Sequence, residues 1–326
     1  MRFLRRLFRK RYSLLLLALA AIAMALETTC RLGFDLGDPP LEIFDPACGY
    51  RFKPTQTVSR FGNRVSYDAN SVRGGCDDLP SRTTWKTLVV GDSVLNGGSL
   101  TDDRDTATAV LNGLSYECDG RFLQFMNLSA GSWAPPQQLG YLKAYGTLDA
   151  DAIVLVLSSH DALGPAKGSK VPFPSEKPWT ATEEVVLRYF LGQRRHLFSA
   201  TASGWEASAA QVPSEIAASQ DPNATSSWCL KQIAVLCRQR HLPLAVVFWP
   251  TRTESRNHSW DKNAGVFFDT LDAEKVPRIE LIERIRATPD FETVVYRDDI
   301  HPSVTGQRLV AGALLQLALQ TARLGQ

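Results

Sequence analysis

The sequence predicts an α/β fold of the flavodoxin-like, three-layer α/β/α kind on a five-stranded parallel sheet, and three observations predict it. Apolar runs of strand length recur at Thr87–Val90, Phe122–Met126, Ala152–Leu157, Leu244–Trp249 and Thr293–Tyr296. Helical stretches lie between or after them, clearest at Asp105–Tyr116, Pro135–Tyr145, Ser226–Arg240, Arg278–Ala287 and Ser303–Leu324. Strands alternating with helices imply a parallel sheet covered on both faces, with its ligand site at the carboxyl ends of the strands. The third observation is bulk composition: 326 residues, 44% hydrophobic and 21% charged, are ordinary for a globular chain. That length has room for one large domain with insertions or two modest ones. No internal repeat or long low-complexity run interrupts it.

The elements before the sheet have a different character. Arg2, Arg5, Arg6, Arg9, Lys10 and Arg11 form a basic head without an acid, and removing these six cations from the net charge of +2 leaves −4 on the rest. A mildly acidic body argues against nucleic acid as a partner. Thirteen apolar residues follow, Leu14 to Leu26, ended by Glu27. A basic head and such a run, over residues 1–30, read as a signal peptide or a membrane anchor. Ala23-Met24-Ala25 offers a small-x-small cleavage site, thirteen residues are short for a span, and the strongly basic head suits a retained anchor. Both readings stay open, and both place residues from about 31 onward outside the cytoplasm, either inner-membrane anchored or secreted.

Residues 31–85 are rich in Gly, Pro, Asp and Asn and read as an arm or cap. Gln56–Arg60 and Arg64–Asp68 flank Phe61-Gly62-Asn63 as a short hairpin. The main domain covers 86–326. It carries an insertion at about 164–222, long for a loop, with a helix candidate at Thr182–Phe190 and a basic cluster at Arg194-Arg195-His196. Six cysteines fit an exported protein, and the absence of a CxxC pair speaks against a zinc site. Cys229 and Cys237, eight apart in a predicted helix, stand about 12 Å apart and cannot bridge. Cys48 with Cys76 is the pairing expected.

Two segments at the ends of predicted strands carry chemistry. Gly91-Asp92-Ser93 leaves the first strand at its carboxyl end, where a serine is either a helix N-cap or a nucleophile beside backbone amides that favour an oxyanion. Leu95 stands where an α/β-hydrolase nucleophile elbow has its second glycine, so that motif is not matched. Asp298 and His301 follow the last predicted strand. Their spacing lets a carboxylate accept Nδ1–H and leaves Nε2 to face a serine. Asp299 is the alternative orienter. Asn127-Leu128-Ser129-Ala130-Gly131 and Ser158-Ser159-His160-Asp161 leave the second and third strands at the same edge, where an oxyanion hole needs a glycine amide and a side-chain donor.

Together these segments resemble the blocks of the SGNH/GDSL hydrolase superfamily over about residues 86–322. Gly91-Asp92-Ser93 resembles the first block, Asn127…Gly131 the second, Ser158–Asp161 stands at the third, and Asp298-x-x-His301 resembles the last. The third block departs from its pattern: Ser158 replaces a glycine and His160 replaces the asparagine that donates to the oxyanion. An imidazole N–H can also donate. The arm, with Gly49–Pro54 and Asn70–Gly74, resembles leader segments of membrane-anchored bacterial members, in which Arg73 either meets an anionic substrate or anchors the arm.

The resemblance implies the SGNH hydrolase fold and an exported serine esterase acting on an O-acyl, first of all acetyl, ester. Ser93 is then the nucleophile, His301 the base and Asp298 its orienter, with Ser93, Gly131 and His160 forming the oxyanion hole. No cofactor or metal is implied. The partner is an ester-bearing small molecule, glycan or lipid. Two alternatives remain at this level: an O-acyltransferase on an envelope polysaccharide, and a non-catalytic carbohydrate-binding member.

Overall fold

The computed structural model describes residues 2–75, 83–163, 174–190 and 221–324. It opens with one long helix, α1 (Arg2–Phe34), which continues past Glu27. The stretch apolar enough to cross a membrane is therefore Tyr12–Phe34, 23 residues holding an 18-residue window of mean hydropathy 1.9, rather than thirteen. Glu27 does not stop the helix, because its carboxylate is occupied by donors from the body of the protein.

Two antiparallel hairpins make the arm: β1 (Glu42–Asp45) with β2 (Gly49–Phe52), and β3 (Gln56–Arg60) with β4 (Asn63–Tyr67). The second is the expected hairpin, one residue earlier on its return strand. The arm is packed in, not appended. Cys48, Tyr50, Phe52, Val65, Tyr67 and Val72 belong to the same apolar cluster as the sheet. Its last residues are stitched to the sheet where Arg73 N–H donates to Asn127 O at 2.8 Å. Cys76, expected to pair with Cys48, lies outside the described residues, as does the 194–196 cluster.

The central sheet takes β5 (Thr84–Gly91), β6 (Glu117–Cys118), β7 (Arg121–Ser129), β8 (Ala152–Leu157), β9 (Leu244–Phe248) and β10 (Arg278–Glu280) in the order β10-β9-β8-β5-β7-β6. Five strands are parallel, and β6 pairs antiparallel at one edge, so the sheet is six-stranded and mixed. Side chains alternate between its two faces. Leu88, Val90, Ile153, Leu155, Val246 and Phe248 meet α4 (Pro135–Tyr145), α6 (Pro222–Gln239) and α8 (Lys262–Ala273) on one side. Val89, Val154, Val156, Ala245 and Val247 meet α3 (Ala107–Leu114) and α11 (Val304–Leu324) on the other. This is the three-layer α/β/α arrangement expected.

The fifth parallel strand is not the expected one. Thr293–Tyr296 is no strand; its place holds a short helix, α10 (Phe291–Val294), and a bridge from Tyr296 to Pro302. Val295 and Tyr296 are apolar because they pack beneath the following loop, Tyr296 against the Trp249 ring at 5.2 Å, not because they join the sheet. The strand is instead Arg278–Glu280, at the start of a stretch expected to be helical. The helix there, α9, covers only Ile282–Arg286. A three-residue edge strand of intermediate burial has no apolar run to announce it. In the insertion, the expected helix is α5 (Ala181–Glu184), running into a wider π-turn over Val185–Phe190.

Candidate active site

β5 is buried along its second half and ends at Gly91. A Cβ there would lie 2.9 Å from Leu95 Cβ and 3.2 Å from Val156 O, so only glycine lets the next helix begin this close to the sheet. That helix, α2 (Ser93–Asn96), is capped by Asp92, whose Oδ1 accepts from Val94 N–H at 2.9 Å. Ser93 is thereby held at the first helical position, at the carboxyl edge of the central strand.

The loop over residues 297–302 brings the other half. It is closed on itself by Arg297 N–H to His301 O at 2.9 Å and by Ser303 N–H to Val295 O at 2.8 Å. It is fixed to the end of β9 where Trp249 Nε1–H donates to Ile300 O at 2.8 Å. Within it, Asp298 Oδ1 accepts from the amides of Ile300 and His301, both at 2.8 Å. Asp298 Oδ2 lies 2.7 Å from His301 Nδ1, and His301 Nε2 lies 3.0 Å from Ser93 Oγ. Nδ1–H donating to the carboxylate leaves Nε2 as an acceptor facing the hydroxyl. Partial burial raises the Asp298 carboxyl, but the two amides and the imidazole outweigh it and hold the group below the usual carboxylate range. Asp299, the alternative orienter, turns away: its Oδ1 accepts from Thr253 N–H and Oγ1–H.

Gly131, at the end of β7, stands directly beside Ser93. A Cβ built on it would lie 4.0 Å from Ser93 Cβ. Its carbonyl accepts a short hydrogen bond from Tyr50 Oη, which fixes the 130–132 turn from the arm. Asn127 reaches Leu95 O at 3.2 Å and Ser129 Oγ donates to Asn127 Oδ1, so this block also holds α2 in place.

The turn after β8 contributes His160 and Asp161. His160 Nε2 lies 2.9 Å from Asp92 Oδ2 and 3.5 Å from Asp161 Oδ1, while Asp161 Oδ2 accepts from Ser158 N–H at 2.8 Å. Burial pulls the imidazole down, but the Asp161 and Asp92 carboxylates outweigh it and carry His160 up to about 10, so its ring is an imidazolium at neutral pH. Full burial and the Asp92 charge raise Asp161, against the pull of His160 and the Ser158 amide. With Nε2 committed to Asp92, Nδ1 is the donor His160 has left for an oxyanion. It is buried and has no hydrogen-bond partner. Asp92, His160 and Asp161 have the donor set of a metal site, with ligand atoms within 4.8 Å of one another. The ring cation and the Ser158 amide already neutralise and occupy those carboxylates.

Two residues matter more than spacing alone shows. Tyr50, from the arm, sets Gly131. Arg73 is fully buried and donates through Nε to Asp103 at 2.7 Å, through Nη1 to Asn96 O and Gly98 O, and through Nη2 to Thr101 O at 2.7 Å. Arg73 is the anchor of the arm. All three of its nitrogens donate to the 96–103 loop.

No protein-family model and no curated protein matches the sequence. Among solved structures, the chain is similar to LAE5, an α/β hydrolase from the metagenome of Lake Arreo, Spain, at 13% identity over 73% of this chain and 96% of that one, with a TM-score of 0.45. It is also similar to Axe2, an acetylxylan esterase from Geobacillus stearothermophilus, at 12% identity over 74% of this chain and 96% of that one, with a TM-score of 0.43. A third is TesA, at 15% identity over 74% and 97%, with a TM-score of 0.41. At such values the likeness carries no residue role across to this chain.

Proposed function

We propose that this chain is an exported serine esterase of the SGNH/GDSL type, acting on an O-acyl ester of a small molecule, glycan or lipid, with acetyl the first acyl group to test. One observation carries the reading: a serine, an imidazole and a carboxylate from opposite ends of the chain stand in hydrogen-bonded line, at 3.0 and 2.7 Å, at the carboxyl edge of a parallel sheet.

Ser93 Oγ attacks the ester carbonyl carbon while His301 Nε2 takes its proton, and Asp298 fixes the tautomer and stabilises the resulting imidazolium. The carbonyl oxygen becomes an oxyanion held by the amides of Ser93 and Gly131, with His160 Nδ1–H as a third donor once the 158–161 turn opens enough to expose it. The tetrahedral intermediate collapses, the C–O bond to the alcohol breaks, and His301 returns the proton to the leaving alkoxide. Water, deprotonated by His301, then attacks the acyl-enzyme and releases the acid. The charge on His160 supports the second oxygen-centred charge without taking part in proton transfer. α1 serves export, with its basic head in the cytoplasm.

The test is acetate release from p-nitrophenyl acetate and then from acetylated glycans, by wild type and Ser93→Ala. Saturable release that disappears in the variant supports the reading. Ester appearing on an added glycan, with no rise in free acetate, points to transfer instead. No turnover of any ester by folded wild type overturns the proposal.

A further inference from the structure

We propose that α1 is kept in the mature protein and seats the body flush on the outer face of the membrane, with Trp179 inserted into the headgroup layer of the bilayer. This rests on the export reading above and is independent of the ester chemistry.

The end of α1 is part of the fold. Glu27, two residues beyond the small-x-small site, has both carboxylate oxygens occupied: Oε1 by Ala181 N–H at 2.9 Å and Arg31 Nε–H at 2.6 Å, Oε2 by Thr182 N–H at 2.9 Å and Thr182 Oγ1–H at 2.8 Å. These residues begin α5, more than 150 positions away. Arg31 Nη2 reaches Trp179 O at 3.4 Å. The chain then enters the body with no linker. Gly37 turns at φ +93°, its amide donating to buried Glu184, and a Cβ there would lie 2.8 Å from Arg31 Nη1. Glu184 in turn pairs with buried Arg60 of β3. The bond after Ala25 lies inside this continuous helix, whereas proteolytic cleavage favours exposed loop tips.

The same docking sets the height of the body. Tyr12 to Glu27, where the body first takes hold, spans about 22 Å of helix at 1.5 Å per residue, and the flanking cations of the basic head snorkel to make up the roughly 30 Å of bilayer hydrocarbon. The six cations before Tyr12 place that end on the inner side. Arg31, about 6 Å beyond Glu27, then lies at the headgroup level, and Trp179 is bonded to it through its carbonyl. Its ring is 91% exposed, the most exposed large apolar side chain among the described residues. Leu32 and Phe34 are also exposed, at the end of the span. An indole has an apolar body and one N–H donor, the chemistry favoured at the headgroup level of a bilayer. A bilayer surrounds α1 on every side, so it covers Leu32 and Phe34 as well as an indole held at their level.

Full-length protein isolated from membranes tests the proposal in two measurements. Intact mass is expected to include α1. In vesicles of brominated phosphatidylcholine, tryptophan fluorescence is expected to be quenched, and Trp179→Phe, an exposed substitution that leaves the core untouched, to lose at least half of that quenching. Tryptophan is absent from α1, so the signal comes from the body. A mature protein beginning near Leu26, or quenching unchanged in Trp179→Phe, overturns this proposal alone. A body that protease cannot reach in spheroplasts overturns the export reading, and this proposal with it.

Discussion

The turn at 158–161 and the loop at 297–302 each set a histidine against aspartate, and the two rings end in different states. His301 has one carboxylate, Asp298, whose side chain is 57% exposed and which two amides of its own loop already hold. Its Nε2 is left facing a hydroxyl. His160 lies between two carboxylates, Asp92 and Asp161, each about 2% exposed or less, and its Nε2 is consumed by one of them. Two buried carboxylates around one ring raise its pKa well above that of an ordinary imidazole and occupy its Nε2. At His301 the single carboxylate meets Nδ1 and leaves Nε2 3.0 Å from the Ser93 hydroxyl. The number and burial of the aspartates, not the presence of histidine, decide which ring nitrogen is left to face a hydroxyl.

The sharpest way to break this contrast is to remove the groups in line. Ser93→Ala and His301→Ala are each expected to lower kcat on p-nitrophenyl acetate by about 10⁴-fold with little change in Tm. If either retains wild-type turnover, the line is not the catalytic one. Asp298→Asn is expected to lower kcat by about 10²-fold, less than loss of a buried triad acid, because water can reach the exposed side of the imidazole.

His160→Asn sharpens the other side. It is expected to keep kcat within about tenfold, since the amide also donates. Its stability carries the pH signature. The His160 pKa is raised from 6.5 to about 10 in the folded state. The stabilisation is therefore fully present below about 6.5 and is lost as pH rises through 10. Denaturant titration is expected to show the variant less stable at pH 6, with the gap narrowing as pH rises through about 10. A gap that is constant with pH contradicts the imidazolium. The smallest effect is expected at Asp299→Asn: less than a twofold change in kcat and about 1 kcal/mol of stability, from the hydrogen bonds to Thr253. A large kcat loss there would make Asp299, not Asp298, the orienter.

Much of the fold was legible because the inner strands are long and apolar on both faces. β5, β7, β8 and β9 each hold four or more buried residues. The misplaced strand failed for the converse reason: Arg278–Glu280 is short and half-buried, while Val295 and Tyr296 are buried by a loop. The first hairpin and the helix α8 went unpredicted, the former because four-residue strands carry little period. In the site, spacing within a turn could be read directly, as at Asp298 and His301, and so could strand-end placement, as at Ser93. Contacts across the chain could not. No local signal joins Tyr50 to Gly131, 81 positions apart, or Glu27 to α5. That Nε2 of His160 would be spent on Asp92 depends on how closely two sheet strands bring their following turns.

The most direct measurement is labelling by a fluorophosphonate probe, read by peptide mass spectrometry on wild type, His301→Ala and His160→Asn. A single adduct is expected on the peptide holding Ser93, absent in His301→Ala and retained in His160→Asn. No adduct on folded wild type, or an adduct at Ser93 that survives the loss of His301, would contradict this expectation.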